Sequence, residues 1–169
     1  MALQYLLNNG SMNTTAAPVK VTTGTAIKTL LQFKPLVPCK MIEYGISFDG
    51  SAAATPGEVE LLETDVAATV TAMVTADITR WSGDALQFGD PTSALISVGT
   101  SATGYTASAE GTTTATRAID GPQLIAPTNQ YIKQWPLGRE PYLQANKFYR
   151  VRVTFGAAVN AYCYMVVEF

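Results

Sequence analysis

Residues that could carry out chemistry are few in this chain, and its 169 residues include no histidine. The chain therefore lacks the commonest general base, the usual metal ligand and the side chain that changes charge near neutral pH. A nucleophilic serine would need a lysine as its base, and the six lysines show no S-x-x-K spacing. We expect that the protein is not an enzyme and that it has no catalytic residues.

Four carboxylates crowd one short stretch of the chain: Glu58, Glu60, Glu63 and Asp65. A calcium ion needs roughly six to eight oxygen ligands, so this group is a candidate for part of a metal site. Alternation along a strand places Glu58 and Glu60 on the same face, which is also the pattern of solvated carboxylates on an outer surface. We favour the solvated face and expect neither a metal nor a cofactor.

A phosphate-binding loop is the other chemical motif to consider. The stretch Gly99–Thr106 has the two glycines of such a loop, but Tyr105 stands where the lysine that reaches the phosphates must be. A turn or an exposed loop between strands explains these residues better. The motif therefore gives no reason to expect nucleotide binding.

The two cysteines, Cys39 and Cys163, lie far apart in the sequence and form no C-x-x-C pair. This spacing fits neither a zinc ribbon nor a disulfide-dense secreted scaffold. Two buried free thiols are the favoured interpretation, and a single bridge is the alternative. The first basic residue is Lys20, and the apolar run within Met1–Leu7 is far too short to span a bilayer. We therefore expect synthesis in the host cytoplasm without a signal peptide.

Charge is scarce, at 14% of residues with a net charge of -2, whereas an ordinary domain has about 25% charged residues. Such a chain has no basic surface for nucleic acid or for an anionic membrane, so we expect neither as a partner. Alanine and threonine together make up roughly a quarter of the residues, well above usual composition. A surface of small, weakly hydrated side chains suits extensive contact with other proteins.

The segment Tyr131–Tyr142 crowds aromatic residues, prolines, a glycine and charges into a run that does not alternate. Trp135, Arg139 and Tyr142 are of the residue types enriched at interface hot spots, which suggests a contact with a partner or another subunit. The alternative is a rigid corner in which Trp135 caps the core and Arg139 pairs locally. Two aromatic residues elsewhere in the sequence complete the set of interface candidates: Tyr105 and Trp81.

Period-two alternation predicts the elements that position these residues. Near the C-terminus, a strand over 148–155 and a returning strand over 161–169 each have alternating residues that are expected to face the core. The first set is Tyr149, Val151, Val153 and Phe155, and the second is Cys163, Met165 and Val167. In the strand Cys39–Phe48, the expected core residues are Ile42, Tyr44, Ile46 and Phe48. Earlier strands are predicted at Leu3–Leu7, Val19–Thr23 and Ile27–Phe33.

The middle of the chain gives weaker patterns. Residues 66–74 fit a helix or a strand, and their β-branched side chains favour a strand. A helical turn capped by Thr75 is predicted over 75–81, a loop over 82–93, a short strand over Leu95–Val98 and a long polar stretch over 101–115.

Many short strands with almost no helix predict an all-β fold, an antiparallel two-sheet β-sandwich of jelly-roll type. An immunoglobulin-like sandwich is the alternative, but the Cys…Trp…Cys spacing is missing. We divide the chain into an N-terminal arm over residues 1–18 and a single jelly-roll domain over 19–169.

The order of several short blocks resembles a family of small virion proteins of tailed phages of actinobacteria, the head decoration (cement) proteins and related structural proteins. The blocks are Glu43–Gly50, Val59–Thr64, Ala102–Thr112, Gln134–Pro141 and Phe148–Val153. The resemblance implies a jelly roll, often a homotrimer, that sits on the outside of an icosahedral head and clamps neighbouring major capsid subunits. It implies no catalytic residues.

On this basis we expect a capsid decoration protein on the outer surface of the virion, with the major capsid protein and further copies of itself as partners. A binding module is the alternative: a lectin-like or receptor-binding jelly roll of a phage tail or fibre. Trp81, Tyr105 and Trp135 would then line one exposed groove in which sugars stack.

Overall fold

Strands make up most of the chain in the computed structural model, which describes residues 2–12, 14–49, 56–82, 92–111, 115–125 and 130–169. The strands are β1 (Gln4–Asn8), β2 (Val21–Thr22), β3 (Lys28–Phe33), β4 (Cys39–Asp49), β5 (Pro56–Thr64), β6 (Thr69–Ala72), β7 (Thr79–Ser82), β8 (Gly104–Ala109), β9 (Arg117–Asp120), β10 (Gln123–Ile125), β11 (Gln130–Gln134), β12 (Tyr142–Leu143), β13 (Phe148–Thr154) and β14 (Asn160–Glu168). A 3₁₀ turn at Thr75–Asp77 and a short helix α1 at Thr92–Leu95 complete the described elements. No helix within these ranges is long and apolar enough to cross a membrane.

The strands form two seven-stranded sheets that are antiparallel throughout. Sheet A has the order β11-β4-β14-β1-β7, with β12 also on β4 and β2 also on β14. Sheet B has the order β10-β5-β13-β3-β8-β6, with β9 also on β5. The two sheets pack face to face around one core. The prediction of an all-β, antiparallel two-sheet sandwich with little helix is confirmed.

The long central strands pass from one sheet to the other. β4 in sheet A is followed by β5 in sheet B, and β13 in sheet B is followed by β14 in sheet A. β14 lies beside β4 and β13 lies beside β5, so the four strands interleave. Such interleaving of the central strands is typical of jelly-roll sandwiches.

The core confirms the alternation at the C-terminal end of the chain. Every predicted inward residue of β13 and β14 is buried, together with Phe155 just after β13. Both cysteines are also buried and free, as the favoured interpretation predicts. Burial raises the pKa of the Cys39 thiol to about 12 and that of Cys163 further still, so both remain protonated at neutral pH.

A β-bulge in β4 changes which residues face the core. Val166 of β14 pairs with Glu43 and Val167 pairs with Met41, so Ile42 is the extra residue on β4. Cys39 and Met41 face the core before the bulge, and Tyr44, Ile46 and Phe48 face it afterwards. The prediction that Ile42 points into the core is therefore wrong, because strict alternation does not continue through a bulge.

The N-terminal strand is part of the sandwich. β1 lies between β14 and β7 in sheet A, and Tyr5 and Leu7 are fully buried in the core. The predicted strand near the N-terminus is confirmed. The predicted arm over residues 1–18 is wrong for residues 4–8, because alternating apolar side chains there complete the core of sheet A.

Sheet B is buried on its outer face as well, around the fully buried side chain of Arg150. Its guanidinium donates to the backbone carbonyls of Val66 and Glu110, and it lies 3.6 Å from the Glu110 carboxylate. The hydroxyl and the backbone N–H of Thr29 also donate to that carboxylate, at 2.6 and 2.5 Å. The chain around residues 66 and 110 thus folds over β13 and β3 and is held there by a buried charge.

Several predictions in the middle of the chain are corrected. Residues 69–72 form a strand, as favoured, but the turn that follows is capped by the Asp77 carboxylate, which accepts the Val74 N–H at 3.0 Å, and not by Thr75. The predicted strand at Leu95–Val98 begins as the end of α1 and continues only as isolated bridges. The predicted polar stretch contains β8. Most of the predicted loop at 82–93, residues 83–91, lies outside the described residues.

Candidate protein interface

The segment that carries Trp135, Arg139 and Tyr142 follows one edge of sheet A. β11 pairs with β4 through Lys133 and Tyr44, and β12 pairs with the same strand through Tyr142 and Lys40. The chain therefore runs along β4 in two pieces, with a turn between them. We call residues 130–143 the β11–β12 edge.

The turn between the two pieces is closed by a hydrogen bond from the Arg139 N–H to the Pro136 carbonyl, 2.9 Å long. Gly138 has a φ of 82°, which is the value that position i+2 of a type II turn requires. Leu137 consequently stands at position i+1, where its side chain is 96% exposed. A large apolar side chain is thus held out into solvent by a defined turn.

Glu140 fixes the far side of the turn. Its carboxylate accepts the Gly138 N–H at 2.9 Å and lies 3.8 Å from the ammonium of Lys40. Its own backbone N–H, that of Gly138 and the charge of Lys40 hold the pKa of this carboxyl below its ordinary value. The local ion pair therefore belongs to Glu140, while the exposed guanidinium of Arg139 makes no ion pair with any described residue.

Trp135 anchors the near side of the turn. Its ring stacks on that of Tyr44, with centroids 5.9 Å apart and 28° between the planes, and its backbone N–H donates to the Ile42 carbonyl at 3.2 Å. The indole is half-buried and packs against the core. The turn is therefore attached to the core at one end and to Lys40 at the other.

The same edge is connected to sheet B through Asp120 at the end of β9. Its carboxylate accepts hydrogen bonds from the hydroxyls of Tyr44, at 2.8 Å, and Tyr131, at 2.7 Å. Burial, together with the negative charge of Asp120, raises the pKa of Tyr131 to about 12 and raises that of Tyr44 further. Two tyrosines of sheet A and one carboxylate of sheet B thus close this side of the sandwich.

Apolar side chains are prominent on the β11–β12 edge: Leu137 is 96% exposed, Tyr142 61% and Ile132 49%. Sequence reasoning identified Tyr142 and missed the other two. Leu137 carries a detectable signal, because a leucine between proline and glycine falls in a turn rather than in a strand. Ile132 carries none, since alternation alone does not show which face of an edge strand is covered.

Trp81 lies on β7, at the opposite edge of the same sheet, with a side chain 54% exposed. β4, β14 and β1 lie between β7 and β11, so the two edges are about 19 Å apart at the usual strand spacing. Trp81 and Trp135 therefore do not contribute to one compact surface.

Tyr105 lies on β8 in sheet B and is partly buried against the core. Its hydroxyl is 2.7 Å from the Ser11 hydroxyl, beside a small cavity of about 250 Å³ that Met12 and Val19 also line. The structure thus brings together Trp135, Arg139 and Tyr142, and it separates them from Trp81 and Tyr105. The single aromatic groove that a lectin-like site would need is not formed by Trp81, Tyr105 and Trp135.

Three of the four clustered carboxylates are engaged by nearby side chains. Glu60 forms a two-pronged ion pair with Arg152, at 2.8 and 3.2 Å. Glu63, which is buried, accepts from the Tyr149 hydroxyl at 2.9 Å and from Arg117, and Asp65 pairs with Lys147. Across the described ranges, no three or more of the acidic and cysteine side chains group closely enough to hold a metal ion. The solvated face expected for Glu60 and Glu63 is instead a set of ion pairs.

Comparison of the chain with protein-family models, with curated proteins and with solved structures finds no significant match. The description of the protein therefore rests on its own structure. It is a β-sandwich with a braced turn at one sheet edge, and that turn holds Leu137 almost fully in solvent.

Proposed function

We propose that the protein is a structural component of a phage virion, a decoration protein that binds the outside of an icosahedral head and stabilises it by bridging major capsid subunits. The observation that carries this proposal is the exposed side chain of Leu137 on a turn fixed by Trp135 and Glu140. Apolar anchors on rigid supports lose little conformational freedom on binding, which is what a stable protein contact requires. The order of sequence blocks resembles that of decoration proteins, and this resemblance is the reason for proposing this class of virion protein.

The chemistry of the β11–β12 edge suits a protein partner. Leu137 and Tyr142 offer apolar contact area, and Arg139, two residues beyond Leu137, offers a guanidinium that forms no ion pair with a described residue. Apolar centres with an arginine nearby are typical of interface hot spots, where flanking contacts exclude water. The matching surface on a capsid subunit would be an apolar pocket with a carboxylate at its rim.

Stabilisation would follow from mass action. A protein that binds the assembled shell and not the free subunits shifts the equilibrium away from disassembly, by an amount that grows with its concentration relative to Kd. Bridging two subunits strengthens the effect, because the second contact forms at the high effective concentration that the first one creates. Self-association as a homotrimer around a threefold axis belongs to the same proposal and would multiply the number of contacts for each bound unit.

The test uses particles of the phage that encodes this chain, prepared without the protein. Such particles should assemble, yet release their DNA at a lower temperature than complete ones. Adding back the natural protein should restore heat stability, whereas the variant Leu137→Asp should not. Val74→Asp is the matched control, because the Val74 side chain is 58% exposed and Val74 is not part of the β11–β12 edge. This variant should restore heat stability. Equal heat stability with and without the protein would refute the cementing role.

A further inference from the structure

We propose that β11 is a pairing edge through which two copies of the protein associate, so that sheet A of one copy continues into sheet A of the other. β11 is the outermost strand on its side of the sheet and pairs with β4 alone among the described strands. The inference concerns a contact between copies and stands independently of the virion role.

β11 differs from the other outer strands of the described sheets in its regularity. It pairs with β4 over all of Gln130–Gln134 without a shift in register. β6 has two register shifts against β8, β9 has one against β5, and β7 has one against β1. β10 spans only three residues, and β2 and β12 span two each. Bulges and short length protect an edge from pairing with another chain, and β11 has neither a bulge nor a length as short as that of β10.

The backbone of β11 presents its central hydrogen-bonding groups outward. The Trp135 N–H donates to the Ile42 carbonyl of β4, so Lys133 and Tyr131, which share its parity, also turn their backbone groups toward β4. In an antiparallel pair the alternate residues point the other way. The N–H and C=O of Ile132 and Gln134 therefore face away from sheet A and are directed at an incoming strand.

The sequence of β11 is complementary to itself in the antiparallel direction, which is why we assign the occupant as a second copy. A twofold axis at Ile132 places Ile132 opposite Ile132 of the second copy, and Gln134 opposite Gln130. It also places Lys133 opposite Tyr131, so the one charged residue of the strand does not face a like charge. Moving the axis by one residue to Lys133 would oppose two lysines, which is unfavourable.

The side chains at the centre of the contact also favour burial. Ile132 is 49% exposed on the outer face of sheet A, where it neighbours Gly45 and, one strand further, Tyr164. Pairing would bring two Ile132 side chains together and remove this apolar surface from water. Because the contact is isologous, it closes at two copies. A trimer held together by other surfaces would join with a second trimer into a hexamer where the twofold axes of the β11 contacts cross its threefold axis.

The test exploits the self-opposition of Ile132. Sedimentation equilibrium over a concentration series should show dimers for the natural protein, or assemblies larger than a trimer if trimers form. Ile132→Lys and Ile132→Glu should each weaken the association by at least about tenfold, because each places like charges face to face. An equimolar mixture of the two variants should regain association, because lysine then faces glutamate. Val19→Lys and Val19→Glu, at an exposed valine outside the strands, should leave the association unchanged.

Three results would overturn the proposal. One is a natural protein that remains a monomer or a lone trimer at every concentration. Another is either Ile132 variant associating as tightly as the natural protein, and the third is a mixture that associates no better than its components. Thermal melting checks that each variant is folded, since a solvent-facing substitution should shift stability little. Loss of head binding by Leu137→Asp is a separate readout and bears only on the decoration role.

Discussion

The indole of Trp135 stacks on the ring of Tyr44, with centroids 5.9 Å apart and an interplanar angle of 28°. Tyr44 belongs to the core and donates through its hydroxyl to Asp120 in the other sheet. One aromatic pair thus connects the exposed turn that follows β11 to both sheets of the sandwich. The position of Leu137 in solvent follows from this chain of contacts, which makes the turn a rigid feature of the fold.

Replacing Trp135 should destabilise the protein as well as its binding surface. We expect Trp135→Ala to lower the free energy of unfolding by about 2 kcal/mol, less than for a fully buried aromatic residue because the indole is half-buried. Trp135→Phe, which retains a ring over Tyr44, should lose less than about half of that. Trp81→Ala, at a ring 54% exposed, is the control and should change stability by at most about 0.5 kcal/mol. Equal losses for both alanine variants in urea unfolding would contradict the stacking argument.

The turn itself depends on glycine at position 138. Gly138 has a φ of 82°, and no atom lies within 4 Å of where a Cβ would be, so Gly138→Ala tests the backbone alone. We expect a loss of about 1 kcal/mol, since alanine is strained at positive φ. Gly156→Ala has equal space and no positive φ, so it should be neutral or slightly stabilising. Similar urea midpoints for the two variants would show that the turn is not strained by a side chain.

The buried guanidinium of Arg150 should matter more than the surface ion pairs. Removing it leaves the Glu110 carboxylate without its cationic partner, 3.6 Å away, in a largely buried position. We expect Arg150→Ala to cost about 3 kcal/mol. Lys20→Ala breaks the surface ion pair between Lys20 and Asp49, whose side chains are 49% and 55% exposed, respectively. This loss should cost less than about 1 kcal/mol. Denaturant unfolding compares the two directly, and a loss below about 1 kcal/mol for Arg150→Ala would contradict a structural role.

Alkaline pH should open the side of the sandwich that Asp120 closes. The pKa of Tyr131 is raised from 10.0 to about 12, so its protonated form is favoured by folding. That contribution is complete below pH 10 and is lost as the pH rises toward about 12, because a tyrosinate cannot donate to Asp120. The free energy of unfolding should therefore fall between about pH 10 and pH 12, and fall less steeply in Tyr131→Phe. Identical slopes for the two proteins over that range would rule out this hydrogen bond as a source of stability.

Alternation predicted the fold where strands are regular and half-buried, as in β13 and β14. It failed where tertiary contacts decide the outcome. The bulge at Ile42 depends on the register between β4 and β14, which no local pattern contains. β8 was missed because its Tyr-Thr-Ala-Ser sequence is polar, and it becomes a strand by pairing with β3 and β6.

Residue type identifies the interface candidates in the sequence. Which of them share one surface depends on the residues that lie near them in the folded chain. Trp135 and Trp81 are the same residue type, yet one stacks on a core tyrosine and the other lies exposed on the opposite edge. Gly45 does carry a signal in the sequence, since a glycine within a strand often marks the close approach of another group. A Cβ there would come within 2.5 Å of the Tyr164 ring, which lies across the strand on the outer face. Distances between strands, which the sequence does not contain, determine which of these residues meet.

The copy number of this chain in purified virions is the sharpest test of the proposal that it decorates a phage head. Quantitative mass spectrometry of particles gives the molar ratio of this chain to the major capsid protein. For a decoration protein we expect on the order of hundreds of copies for each particle, in a fixed ratio set by the symmetry of the shell. A handful of copies, as for a tail-tip or fibre protein, or none at all, would contradict it.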